Sequence, residues 1–253
     1  MHVQAQVFRN TQFSGHCWTW DCSSRPIRVP LLTKHHRQLR LQWAREHRDW
    51  TTDEWKRVAW SYESLFLIHY FDGRVRVRRL PGEQLLPSYT AGHTQAGGAD
   101  IILGGTFSWA ALLPVVVVQQ TMKAENYLNI ITDQLHPYMA LVFPNGNGIF
   151  QQDNAPCHKV RIVLEWFEEH TDEFHLMFWP PNSPDLNPME RIWDVMERQL
   201  RDQTPPCPNI SILRHRCLDI WCNLSPVKYQ KLVASMSRRV AAVLKSKEGA
   251  TRY

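Results

Sequence analysis

Apolar positions along the chain change period several times, and each change marks a predicted element. Arg57-Val58-Ala59-Trp60-Ser61-Tyr62 and the run from Leu65 to Phe71 are of strand length. The second run meets Asp72-Gly73, a two-residue turn signal, and then Arg74-Val75-Arg76-Val77-Arg78. Strict alternation there predicts a hairpin with one basic face and one buried face. Asp100 to Phe107 and Ala111 to Gln119, rich in Ile and Val, predict two more buried strands. Lys123 to Leu141 carries Leu128, Ile131 and Leu135 at helical spacing and predicts one helix capped by Thr121. Gly148 to Asp153 reads as a strand, and Lys159 to His170 as a helix with Val160, Val163, Leu164 and Phe167 inward. A short strand from Phe174 to Phe178 ends at Trp179-Pro180-Pro181. The helix entered at Pro188 turns Met189, Ile192, Met196 and Leu200 to the core. After the Pro-rich break at Thr204 to Pro208, two helices are expected, Ile210 to Cys222 and Pro226 to Lys245. Their core positions are Leu213, Ile220, Leu232, Met236, Val240 and Leu244. A run of strands followed by alternating helices and strands implies an α/β (α+β) domain on one mixed sheet, with helices closing the C-terminus.

Composition allows a large core: 43% of the 253 residues are hydrophobic and 11 are Trp. The net charge of +5 is mild but unevenly spread. Residues 1–24 lack a clear period, whereas residues 25–49 hold Arg25, Arg28, Lys34, Arg37, Arg40, Arg45 and Arg48 against only Glu46 and Asp49. Thr33 can cap a helix beginning at Lys34, with Leu39 and Trp43 on one face and cations over much of the rest. This is either a solvated helix or a basic arm and helix lying on nucleic-acid phosphates; seven cations with Trp43 and Trp50 nearby favour phosphate contact. The division expected is residues 1–50, a poorly ordered N-terminus with a basic linker helix, and residues 51–253, the main folded domain.

The six cysteines, at 17, 22, 157, 207, 217 and 222, form no C-x-x-C pair and read as reduced thiols, with zinc as the alternative. The most apolar stretch, Phe107 to Val118, is too short to span a bilayer. No signal peptide and no membrane association are expected. Leu80 to Gly98 is Pro/Gly-rich and lacks the lysine of a phosphate-binding loop, so no small-molecule cofactor is expected.

The chemistry concentrates between Gly148 and Glu190. Asp153 closes an apolar run and precedes turn-forming Asn154-Ala155-Pro156, which puts it at a strand end. Glu190 stands in the first turn of a helix behind Asn187, a good N-cap, and Pro188. Plainer readings exist: an Asx-turn at Asp153, and a capping box from Asn187 to Glu190. Two such carboxylates meeting through the fold would suit Mg²⁺, which takes one or two carboxylates plus substrate phosphates.

Q-Q-D-N-A-P-C-H and S-P-D-L-N-P-M-E-R-I-W closely resemble the second and third acidic motifs of the Tc1/mariner transposases, DDE enzymes with a ribonuclease-H-like catalytic domain. The resemblance runs from about Arg25 to Tyr253, and 36 residues lie between Asp153 and Glu190. It implies a ribonuclease-H-like mixed sheet flanked by helices, and Asp153 and Glu190 as second and third ligands of Mg²⁺ or Mn²⁺. It also implies double-stranded DNA as partner, a homodimer as one assembly, DNA integration as the process and the nucleus as the compartment. Asn154 and His158 are implied contacts behind the ligands or to DNA, His158 otherwise being a surface residue at a helix start. Residues 1–24 leave no room for the two helix-turn-helix modules of such enzymes, so a chain lacking them is expected. The family's first motif reads Ser-Asp-Glu, where this chain has Ser61-Tyr62-Glu63. Tyr62 thus replaces the first acidic ligand, and a phenol of ordinary pKa near 10 is neutral at pH 7. Glu63, the next residue on a strand, should face away from Asp153. The implied result is a transposase fold with strand cleavage and transfer impaired, or a nucleic-acid-binding or oligomerising module without catalysis.

Overall fold

The computed structural model describes residues 32–67, 100–118 and 122–246. Helix α1 spans Lys34–Glu46 and a short α2 spans Thr52–Trp55, each capped by a threonine side chain, Thr33 and Thr51. Strands β1 (Val58–Leu67), β2 (Asp100–Phe107) and β3 (Val116–Val118) follow. Helix α3 (Ala124–Ile130) passes through a π-turn (Ile131–Leu135) into α4 (His136–Val142). Then come β4 (Gly148–Gln151), a 3₁₀ turn (Pro156–Lys159), α5 (Arg161–Glu169) and β5 (Phe174–Met177). Helices α6 (Met189–Asp202), α7 (Ile210–Cys222), α8 (Pro226–Ala234) and α9 (Met236–Lys245) end the described chain.

The sheet order is β3-β2-β1-β4-β5. β1 pairs antiparallel with β2 and parallel with β4, so β1 is the central strand where the two pairing senses meet. β2–β3 is antiparallel and β4–β5 parallel. Alternation along β1 distributes its side chains between two cores. Val58, Trp60 and Phe66 face α1, α2 and α6 to α9, with Tyr62 packed against that core; Ala59 faces the layer built by α3 to α5.

Several expected boundaries move, for physical reasons. β1 is a single ten-residue strand where two separate runs were expected, because its polar centre, Ser61 to Ser64, is paired residue by residue with β2. Among the described residues 111–118, only Val116–Val118 is strand; Pro114 cannot donate to a ladder, and Leu112 makes an isolated bridge to Phe107. The expected continuous helix after Lys123 is interrupted by the π-turn, next to Pro137, whose missing N–H cannot bond four residues back. Its N-cap position is Lys123; Thr121 lies outside the described residues. α5 begins later than expected, leaving Val160 and Leu164 exposed while Val163 and Phe167 are buried. The last expected helix divides at Ser235, whose side chain donates to the Leu232 carbonyl and accepts from Arg239 Nε. The hairpin at Asp72-Gly73 and the loop Leu80 to Gly98 lie outside the described residues.

α1 is not a linker. Trp43 and Ala44 are buried in the main core, and Trp43 packs against Trp55 and Trp179. A boundary at residue 50 therefore has no counterpart in the packing. No helix among the described residues is long and apolar enough to cross a membrane. The four described cysteines, 157, 207, 217 and 222, are free thiols.

Candidate active site

Tyr62 sits in the middle of β1, opposite Gly105 of β2. A Cβ at Gly105 would come within 2.7 Å of Trp221 and 2.9 Å of Met189 and Trp193. The bare glycine therefore lets the first turn of α6 lie close on the sheet. Asn187 holds that turn: its Oδ1 accepts from the Met189 N–H at 3.0 Å, and its Nδ2 donates to the Ser61 carbonyl at 3.4 Å. The helix start is thus tied to the strand residue before Tyr62. The reciprocal half of the expected capping box is not formed, since the Asn187 N–H bonds to the Pro184 carbonyl. Glu190 turns instead toward Tyr62, close enough for its charge to act on the phenol.

Asp153 lies two residues beyond β4 and lines the same cleft as Tyr62, together with Asn154, Trp179, Asn182 and Asn187. Its Oδ1 accepts from the Ala155 N–H at 2.9 Å, so the Asx-turn reading is also correct. The same oxygen lies 2.8 Å from His158 Nδ1. The Asn154 side chain donates to the Trp179 carbonyl at 2.9 Å and fixes the turn against the end of β5.

His158 is the site residue whose setting differs most from the surface position of the plainer reading: it is 4% exposed and its ring lies 4.0 Å from that of Tyr127. Its Nε2 is 3.5 Å from Glu63 Oε1. Tyr62 and Glu63 do face opposite sides of the sheet, but Glu63 is not remote from Asp153. The imidazole reaches round the end of β4 and pairs with both carboxylates.

Electrostatics follow from this placement. Burial, then the charges of Glu190 and Asp153, push the Tyr62 phenol well above its ordinary range, so it stays neutral. Burial also raises Glu190, with Asp194 and Glu197 adding to the rise and the Tyr62 hydroxyl opposing it. Burial alone would raise Asp153, but hydrogen bonds from His158 and the Ala155 N–H prevail and its carboxyl is lowered. Burial would lower His158; its bonds to Asp153 and Glu63 prevail and lift it to about 9. Asp153 and Glu190 both act on Tyr62.

The basic residues separate into three groups. Lys34, Arg37, Arg45 and Arg48 are exposed on α1 and the turn after it. Arg40 is fully buried: Nη1 donates to Ser183 Oγ at 2.7 Å, and Nη1 and Nη2 grip Asp185 at 2.8 and 2.7 Å. It cannot meet a phosphate, because its charge is already spent inside the S-P-D-L-N-P loop. Arg25 and Arg28 lie outside the described residues. Sequence reasoning missed a cleft between α6 and α8–α9 whose apolar floor, Ile192, Val195 and Leu232, is rimmed by Arg191, Arg198, Lys228 and Lys231. The recurrence of Lys at 228 and 231 was a local signal for it.

Residues 76–211 match the family described as DDE superfamily endonuclease. The chain is 33% identical over 229 residues to the transposable element Tc1 transposase of Caenorhabditis elegans, covering 90% of this chain and 82% of that protein. It is 32% identical to the Tcb1 transposase of Caenorhabditis briggsae with the same coverage. Among solved structures, the Mos1 mariner paired-end complex with Mn matches with a TM-score of 0.72 at 16% identity, over 92% of this chain and 69% of that one. The catalytic domain of Mos1 mariner transposase matches at 0.67 and 14% identity, over 88% and 99%. The latter two carry the fold, which is ribonuclease-H-like.

Proposed function

This chain belongs to the Tc1-type transposases of the DDE superfamily, with a Tc1/mariner catalytic domain, and on that premise we propose that Tyr62 has disabled its DNA-cutting centre. The substrate in this reading is double-stranded DNA in the nucleus, and the reaction would be divalent-metal-dependent strand cleavage and strand transfer. Neighbours of the same fold were solved as paired-end complexes with a transposon end and with Mn, which supports DNA and a divalent ion as the partners to test.

The observation that carries the reading is the place of Tyr62, mid-strand in the cleft that Asp153 lines and within reach of the Glu190 charge. Two-metal phosphoryl transfer needs anionic oxygens to hold both ions against a phosphodiester. Here the central corner is a neutral phenol, Glu190 is shifted toward its protonated form, and Asp153 is compensated by the His158 cation. Such a donor set does not fit a pair of Mg²⁺ ions.

The direct experiment is a Mg²⁺- and Mn²⁺-dependent nicking assay on supercoiled DNA with this chain and with Tyr62→Asp. Activity confined to the variant supports the reading; robust nicking by the unaltered chain overturns it. A second reading, DNA binding without cutting, is favoured by the exposed cations of α1 and the rim of Arg191, Arg198, Lys228 and Lys231. It calls for affinity that falls steeply with salt and is indifferent to sequence.

A further inference from the structure

On the layer of helices opposite Tyr62, three elements meet at one place: α4 starts with His136, His170 caps the C-terminus of α5, and Glu173 directly precedes β5. We propose that His136, His170 and Glu173 bind a divalent transition ion of zinc's class. One ligand atom from each of the three lies within 4.8 Å of the others. Tetrahedral zinc with bonds of 2.0–2.2 Å sets its donors about 3.3 Å apart, so closure needs small side-chain rotations.

The rings are held ready for that. His170 Nδ1 donates to the Trp166 carbonyl at 2.7 Å, which fixes the tautomer whose Nε2 carries the lone pair. Trp166 stacks on His170 at 3.9 Å and meets the His136 ring edge-on at 5.7 Å. His136 Nε2 already pairs with Glu173 Oε2. An ion would replace the shared proton there and release it. That ion pair accounts for two of the groups; the second imidazole, oriented by a backbone carbonyl, is what a metal needs and a surface ion pair does not. The side chains of His136 and Glu173 are 32% and 48% exposed, which leaves an entry path and a fourth position for water. Two imidazoles and one carboxylate select zinc-like ions over Mg²⁺, which prefers oxygen. Bound there, the ion would clip α4, α5 and the start of β5 together.

The test uses the untagged, metal-free chain in excess Mg²⁺, which fills oxygen sites but not imidazoles. Titration with Co²⁺ should give one visible-absorbing ion per chain without a thiolate charge-transfer band, displaced by Zn²⁺, and Zn²⁺ should raise Tm. His170→Ala and Glu173→Gln should each weaken Co²⁺ binding at least about tenfold while keeping the metal-free circular dichroism. Should His136→Ala fail to fold, those two variants still decide. Undiminished binding in both, or a thiolate band pointing to the cysteines, overturns the assignment.

Discussion

The Arg40 guanidinium and the Asp185 carboxylate close a two-pronged bond at 2.8 and 2.7 Å, with side-chain exposures of 1% and 13%. It joins α1 to the loop that delivers Glu190, and Arg239 Nη1 adds a third strut to the Asp185 carbonyl at 2.8 Å. A buried pair of this geometry is costly to break, because the surviving charge is left without its partner.

Arg40→Ala should therefore destabilise the fold by about 3–5 kcal/mol in urea unfolding. Arg37→Ala and Arg45→Ala, at exposed positions of the same helix, should stay within about 0.5 kcal/mol. On DNA the order reverses: Arg37→Ala with Arg45→Ala should flatten the salt dependence of binding, by close to one unit of slope for each phosphate that is no longer neutralised.

Tyr62→Asp should raise Mn²⁺-dependent nicking by about 100-fold or more above the unaltered chain, the scale on which a single electrostatic partner acts in such centres. Tyr62→Phe should leave it at background, since removing the hydroxyl supplies no charge. Initial rates of supercoiled-to-nicked conversion measure both.

His158 makes stability depend on pH. Its folded pKa, about 9, lies above the ordinary 6.5, so its contribution is full below pH 6.5 and fades as pH rises through 9. The size is about 3 kcal/mol. Asp153 is lowered, so its share is present above its ordinary 3.8 and fades as pH falls below that. Urea midpoints should drop between pH 6.5 and 9.5 in the unaltered chain, and much of that drop should vanish in His158→Gln.

Gly105→Ala should cost about 1–3 kcal/mol, because the added methyl meets three large side chains at under 3.0 Å. A lower Tm, with the Tyr62→Asp activity also lost when the two changes are combined, would show that α6 has been lifted off the strand.

Much of the frame was readable from local pattern. The α7 limits, the strand that leads to Asp153 (ending at Gln151, short of the expected Asp153) and the helix that carries Glu190 follow from apolar spacing and turn residues. Opposite facing of Tyr62 and Glu63 follows from strand alternation, and Tyr62 does share its surroundings with both acids. What escaped depends on partners far along the chain. Arg40 looks like one more cation until Asp185 is brought to it, and burial then reverses its role. His158 looks like a helix-start surface residue until the end of β4 sets it between Asp153 and Glu63. The π-turn beside Pro137 and the break at Ser235 are local, but their signals are single residues inside otherwise regular helical spacing.

Around Tyr62, Asn187 tethers α6, Gly105 clears its path, and His158 pairs with Asp153. Tyrosine and aspartate codons differ only in their first base. On the proposed reading, the loss at this position is a shallow lesion, one nucleotide from reversal.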